Sequence, residues 1–416
     1  MPEVKARTRT SARSYPDRAK RTLRRRSGPV LTLAAADGSP VGRGAPPRRP
    51  RPGMFWLAIL LLGAVLVALT VLPNLRTTAR ASLVVASLPY WNIDHGTAAV
   101  LSNRRAFSEV SPWMYGLDSR GQIVTQYAPA QSGAVTAQLA RLSAAKIPLV
   151  PTLANISQGN WAYQPVYQIL HDPRLRAQHV AAIIALVRQQ HYAGIDIDYE
   201  DLHASDRSAF TAFVTQLGAA LHAKGKTLSV ALFAKTTNAG TDQRNVAQDY
   251  AAIGRVADQV RLMAYDYHWA GSTPGPVAPI GWVRGVLRYV KSQIPAHKII
   301  LGVPLYGYDW AAGGHGTVIG WLQAFRLANQ YHAQPHFDAA SQSPWFDYTD
   351  QSGHKHVVWF ENAPSSKAKF AAARGSGIGG VYLWMYGFED TGIWDALRQT
   401  LPAGRAPAAT NSRGAR

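Results

Sequence analysis

The chain has 416 residues, 47% hydrophobic and 16% charged, which is enough apolar content for a large core and too much for a wholly disordered polypeptide. Its formal net charge is +20, but residues 1–53 hold fourteen Lys/Arg against three Asp/Glu, so the basic excess says little about what the folded part binds. Cysteine is absent, which excludes disulfides, thiolate metal sites, iron–sulfur clusters and cysteine nucleophiles.

Residues 1–53 are rich in Arg, Ser, Pro and Gly without apolar periodicity, and are expected to form a disordered cytoplasmic arm. Nothing aromatic or motif-like accompanies their charge, so no nucleic-acid partner is expected. Met54 to Leu72 is an uncharged run of 19 residues. As a helix it would span about 28 Å, close to the hydrocarbon thickness of a bilayer. Basic residues on its N-terminal flank predict that this end stays in the cytoplasm and that everything after Pro73 is exported. A buried core helix is the blander reading of the same run. Ala79-Arg80-Ala81 fits a signal-peptidase site, but the apolar run is long for a signal peptide and ends well before it. An uncleaved single-pass signal-anchor over 54–72 is therefore expected, with a linker over 73–82; cleavage after Ala81 would instead give a secreted protein.

From residue 83 to 401, β-rich runs alternate with helical patterns. The runs begin near Leu83, Val110, Pro148, Gly194, Thr227, Gln259, Ile299 and Gly379. Between them, Val180, Ile183, Ile184 and Val187 form one helical stripe, and Phe210, Phe213, Val214, Leu217 and Leu221 form another. Eight strands with intervening helices predict an α/β chain folded as a parallel (β/α)8 TIM barrel. A doubly wound open sheet is the alternative, but no Gly-rich phosphate loop follows the first strand. The interval between the seventh and eighth strands is twice the usual length, which predicts a small α+β insertion over about 308–360. The tail over 402–416 is expected to be disordered.

The chemistry concentrates on the fourth strand. Asp196, Asp198 and Glu200 alternate with Ile195, Ile197 and Tyr199, so three carboxylates line one face of the strand. Crowded like charges raise carboxyl pKa values, as a general acid working near neutrality requires. A solvated edge strand and a hard-cation site are the rival readings, the second weakened by the lack of another acidic cluster at neighbouring strand ends. The thirteen histidines show no metal spacing, and no Ser nucleophile elbow is present, so neither a metal nor a cofactor is expected.

Gly194-Ile-Asp-Ile-Asp-Tyr-Glu200 resembles the DGxDxDxE signature of family 18 glycoside hydrolases, the chitinase-like (β/α)8 enzymes, with Ala193 in place of the first Asp. Met263-Ala-Tyr-Asp266, Gly302–Trp310 and Gly379–Trp384 with Gly387–Asp390 resemble the family's sixth, seventh and eighth strands in order. The seventh-strand loop and the stretch His356–Glu361 look most like the bacterial branch of spore-cortex-lytic and germination-type enzymes. The resemblance implies an exported glycosidase acting on β-1,4-linked N-acetylglucosamine polymers, chitin-like or peptidoglycan, with the substrate's own acetamido group as nucleophile. It implies Glu200 as acid and base, Asp198 as the partner of the acetamido N–H, and Asp196 sharing a proton with Asp198. Tyr265 would donate to the acetamido oxygen, Asp266 would contact the sugar beside Met263, and Trp384 would form the floor. Tyr90 is a further pocket candidate, and Trp113, Trp161, Trp310 and Trp359 are either subsite platforms or packing. His268, just past the sixth strand, could touch substrate, with an ordinary hydrogen-bonded histidine the favoured reading. Ala193 is expected to remove one member of the proton-sharing row, which keeps open a slow or non-catalytic carbohydrate-binding envelope protein on the same, monomeric barrel.

Overall fold

The computed structural model describes residues 82–401. The arm 1–53, the apolar segment 54–72, the linker up to residue 81 and the tail 402–416 lie outside the described residues. Among the described residues no helix is long and apolar enough to cross a membrane.

Eight parallel strands close into a barrel: β1 (Leu83–Pro89), β2 (Glu109–Leu117), β3 (Thr152–Ala154), β4 (Gly194–Asp198), β5 (Thr227–Phe233), β6 (Gln259–Met263), β7 (Ile299–Pro304) and β8 (Gly380–Trp384). Each pairs with its neighbours in sequence, and β1 pairs with both β8 and β2 to complete the ring. All eight expected strands are present in the expected order. A short antiparallel strand, Ile123–Thr125, hangs on the edge of β2, and a small hairpin of Ile156–Ser157 with Asn160–Trp161 follows β3.

Strand alternation explains the core. Residues such as Val84, Ile195, Ile197, Leu228, Leu262 and Leu301 point outward into the large cluster between strands and helices. There they meet Val180, Ile183 and Val187 from the helix Pro173–Gln189, and Phe210, Phe213, Val214, Leu217 and Leu221 from the helix Arg207–His222. Asp172 starts the first of these helices by accepting hydrogen bonds from the amides of Arg174 and Leu175, with Pro173 at the position where no amide is needed. The opposite set, including Val85, Met263, Ile300 and Tyr382, fills the barrel interior.

Residues 306–359 add a five-stranded antiparallel sheet and the helix Trp321–Gln330 between β7 and the helix Ala363–Ser376. Its first strand, Tyr306–Ala311, starts one residue after Leu305, because the chain leaves β7 still extended and pairs at once with Gly316–Gly320 and Lys355–Trp359. The carboxylate of Asp350 accepts from the amides of Ser352 and His354, and Gly353 supplies the left-handed residue (φ 82°) of that turn.

Tyr199 faces outward from the end of β4, fully buried, with its ring 5.6 Å from that of Phe213 and its hydroxyl 2.6 Å from His179 Nε2. Burial lowers the His179 pKa to about 4, so this histidine is neutral at physiological pH. Truncating Phe213 to Ala should cost about 3–5 kcal/mol, read as a shift of the denaturation midpoint at unchanged slope.

Candidate active site

β4 carries the functional row at the C-terminal end of the barrel, where parallel barrels place their chemistry. Asp196 and Asp198 are buried and point inward. Regular pairing ends at Asp198, so Glu200 lies two residues beyond the strand, half-buried. Its backbone is held by Asn155, which follows β3: Asn155 Oδ1 accepts from the Glu200 amide at 2.7 Å, and Asn155 Nδ2 donates to the Glu200 carbonyl at 2.8 Å. A fully buried amide side chain thus continues the ladder where the strand stops.

Asp196 has partners on three other strands. Thr152 on β3 and Ser229 on β5 stand level with it in the strand register. Their hydroxyls donate to Asp196 Oδ2 at 2.9 Å and Oδ1 at 2.6 Å. Arg261 on β6, 2% exposed, brings Nη1 to 3.0 Å from Asp196 Oδ2 and Nη2 to 2.7 Å from Glu109 Oε1 on β2. Gln259 Nε2 donates to the other Glu109 oxygen at 2.8 Å, and Ser111 accepts from Arg261 Nη1.

Asp198 is treated differently. Its Oδ2 accepts one hydrogen bond, from the indole N–H of Trp113 at 3.3 Å, and its Oδ1 has no partner. Burial, and after it the charge of Asp196, raises its pKa to about 7. Burial and then the charge of Asp198 raise the Glu200 pKa well above the usual carboxylate range, while Arg244 in the short helix Gln243–Val246 after β5 opposes the shift. The resemblance implied a proton shared between Asp196 and Asp198; here both Asp196 oxygens are taken by Ser229, Thr152 and Arg261.

Ala193 also differs from its expected part. It precedes β4, its amide donating to the Leu149 carbonyl and its carbonyl accepting from the Thr227 amide. By alternation it belongs to the outward set with Ile195 and Ile197, not to the inward row. Substitution there removes no member of the carboxylate line.

The remaining expected residues gather around the same mouth. The Tyr265 hydroxyl is 2.6 Å from that of Tyr382 on β8, and its charge environment is shared with Asp198 and Glu200. Asp266, in a left-handed conformation (φ 56°), accepts from the hydroxyls of Tyr306 at 2.6 Å and Tyr308 at 3.0 Å. Burial raises its pKa to about 6, with those two hydroxyls opposing. Trp384 packs with Met263 and Tyr382 beneath it, and its ring lies 6.1 Å from that of Trp113. Trp113 in turn stacks at 6.5 Å on Tyr90, with Trp91 edge-on to both, and Trp161 completes this aromatic wall. Trp310 is buried in the cluster behind Tyr306 and Tyr308, Trp359 stacks on Trp345 in the insertion, and His268 Nδ1 is hydrogen-bonded to the Thr273 carbonyl. Among the described residues no group of three His, Asp or Glu side chains is arranged to hold a metal ion.

Sequence reasoning missed Asn155, Thr152, Ser229, Glu109, Arg261 and Tyr382, and left Trp113 undecided. A signal existed for Arg261: in Gln259-Val-Arg-Leu-Met263 it shares the inward parity with Gln259 and Met263, a charge in a strand placed to be buried.

The family description "Glycosyl hydrolases family 18" matches residues 106–389. The chain belongs to this family of glycoside hydrolases. It is 36% identical to YdhD of Bacillus subtilis, named as a sporulation-specific glycosylase, over 67% of this chain and 65% of that one. With the cortical fragment-lytic enzyme of Bacillus anthracis the identity is 33%, over 60% of this chain and 59% of the relative. The chain thus spans less than two thirds of the length of these two relatives. A chitinase from Chromobacterium violaceum has the same fold, with a TM-score of 0.71 and 32% identity over 77% of this chain and 99% of that one.

Asn155→Ala removes both hydrogen bonds that hold the Glu200 backbone. Hydrolysis of a glycan substrate should fall about tenfold in kcat, the worth of roughly one well-placed hydrogen bond, with little change in KM.

Proposed function

We propose that this family 18 enzyme hydrolyses β-1,4-linked N-acetylglucosamine-containing polysaccharide, chitin-like or peptidoglycan, by substrate-assisted catalysis with retention. The observation that carries this reading is the placement of Asp198 and Glu200 on one strand and its extension. An enzyme acid and an enzyme nucleophile must flank the scissile bond from opposite sides, about 5–5.5 Å apart. Neighbours in one inward row face the same way. Asp266, the other carboxylate nearby, is engaged by two tyrosine hydroxyls. The attacking atom is then best supplied by the substrate, as the carbonyl oxygen of its 2-acetamido group.

On this reading Glu200, kept protonated by burial, donates to the departing glycosidic oxygen and afterwards takes a proton from water. Asp198 offers its free Oδ1 to the acetamido N–H and steadies the positive charge of the ring-closed intermediate. Tyr265 exchanges its bond with Tyr382 for one to the acetamido oxygen. Asp266 contacts the sugar, and Trp384, backed by Met263 and flanked by Tyr90, carries the apolar face of the pyranose. The chitinase and cortex-lytic names among the relatives support the substrate class.

The reading extends to location. The apolar run Met54 to Leu72 and the basic residues before it support a single membrane anchor, with the N-terminus cytoplasmic and a monomeric barrel outside.

Glu200→Gln should lower hydrolysis by about 10²–10⁴-fold while oligosaccharide binding survives. A substrate without the acetamido group at the cleaved sugar should be inert, and its rapid cleavage would exclude the substrate-assisted route. Binding of N-acetylglucosamine oligomers without release of reducing ends would favour the carbohydrate-binding alternative.

Since Asp198 must be ionised and Glu200 protonated, kcat/KM should be bell-shaped in pH. Activity should fall on the acidic side as Asp198 takes up its proton and on the alkaline side as Glu200 loses its own.

A reporter fused after Arg416 should be active only outside the cytoplasm, and the protein should fractionate with membranes. A soluble form beginning at Ser82 would remove the anchor.

A further inference from the structure

Beneath the carboxylate row lies a buried ionic chain, Glu109–Arg261–Asp196, that runs across the barrel from β2 through β6 to β4. Three observations single it out. Arg261 is 2% exposed, too deep to touch a glycan at the mouth, yet it carries a full charge. Every contact to the Asp196 carboxylate comes from a donor: the Ser229 and Thr152 hydroxyls and the Arg261 guanidinium. Asp198, next in the row, has one donor and one bare oxygen.

The Ser229 and Thr152 hydroxyls can donate or accept, but the Arg261 guanidinium can only donate, and both of its charged partners are carboxyl groups. Glu109 takes hydrogen bonds from Gln259 and Arg261, although burial raises its pKa. One guanidinium therefore bridges two carboxyl groups beneath the next residue of the row. That residue is Asp198.

We propose that Arg261 is a positioning residue for catalysis: anchored by Glu109, it holds the Asp196 carboxyl in place and supplies the positive charge that sets how readily Asp198 gains and loses its proton. This inference rests on the glycosidase mechanism proposed above for the role of Asp198, and not for the existence of the ionic chain. The proton lost by Asp198 when it ionises goes to solvent. The charged and titratable groups facing Asp198 are Asp196 and Glu200 beside it, Arg261 from β6, Tyr265 just after β6 and Tyr382 from β8, with Glu109 from β2 behind the guanidinium. β1 and β7 carry none.

The signs of the expected effects are opposite for the two ends of the chain. Arg261→Gln removes the positive charge, so Asp198 holds its proton more tightly. The acidic limb of the kcat/KM profile should then move to higher pH, by about one unit or more. Glu109→Gln removes a negative charge and leaves the guanidinium uncompensated, so the limb should move to lower pH. Arg261→Lys keeps the charge and should leave the limb near that of the wild type even if kcat drops. A purely structural role for Arg261 would lower activity or melting temperature in these variants without moving the limb in two directions.

The same shifts are read without turnover from the 13C carboxyl resonance of Asp198 in aspartate-labelled protein, assigned by its loss in Asp198→Asn. Opposite movements of that titration in Arg261→Gln and Glu109→Gln support the proposal even if no substrate is cleaved, an outcome that would count against the glycosidase reading alone. If Arg261→Gln does not fold, the downward shift in Glu109→Gln decides. An Asp198 titration that stays put, or moves the same way in both variants, overturns the proposal.

Discussion

The site depends on the two-residue period of β4. Because successive side chains of a strand point to opposite faces, Gly194–Asp198 delivers its isoleucines to the helices and its aspartates to the barrel interior with no further device. The arrangement is costly, since it puts adjacent carboxylates where water cannot reach them. The neighbouring strands are arranged to offset that cost. Thr152 and Ser229 stand level with Asp196 because the parallel register puts them there, and Arg261 reaches across from β6. In-register strands thus turn a sequence pattern into a solvation shell made of protein.

The two aspartates are solvated unequally, and chemistry follows from the inequality. Asp196 is satisfied on both oxygens and so is held in place. Asp198 keeps an oxygen without a partner and a pKa raised to about 7, which makes it responsive to what binds above it. A buried acceptor with no donor is a standing penalty of about 1–3 kcal/mol in the free protein. A donor that reached that oxygen would relieve the penalty. Asn155 serves the same end differently, fixing Glu200 through its backbone and leaving the carboxylate free.

How far this was legible in the sequence follows the range of each interaction. The strands, the inward row and the outer helices are written locally, as periods of two and 3.6, and were readable from residues alone. Ile195 and Ile197 announced the parity of Asp196 and Asp198 without reference to any other strand. The partners of those aspartates could not be found in this way. Thr152, Ser229 and Glu109 are separated from Asp196 by long stretches of chain, and each is an unremarkable polar residue until the barrel closes. Ala193 shows the complementary error: a motif position was assigned to the row by its place in a signature, whereas strand parity assigns it to the other face.

The insertion shows how a peripheral element enters the chemistry through the same periodicity. Tyr306 and Tyr308 alternate with Gly307, so both rings leave the first strand of the added sheet on one face and both hydroxyls converge on Asp266. Asp266 adopts a left-handed backbone, an uncommon state for a residue with a side chain, and the paired hydroxyls fix its carboxylate in that geometry. Gly307 permits the approach, because a Cβ there would lie 2.1 Å from the Trp359 carbonyl oxygen of the adjoining strand. The sheet is therefore tied to the barrel at the Asp266 carboxylate, while its own core is built on Phe346, Val358 and Phe360. A change at Gly307 would be felt at Asp266, two strands away from Glu200, without touching the row on β4. The barrel and the insertion divide the work: β4 and its neighbours set charge, and the added sheet sets the shape of the wall that faces it.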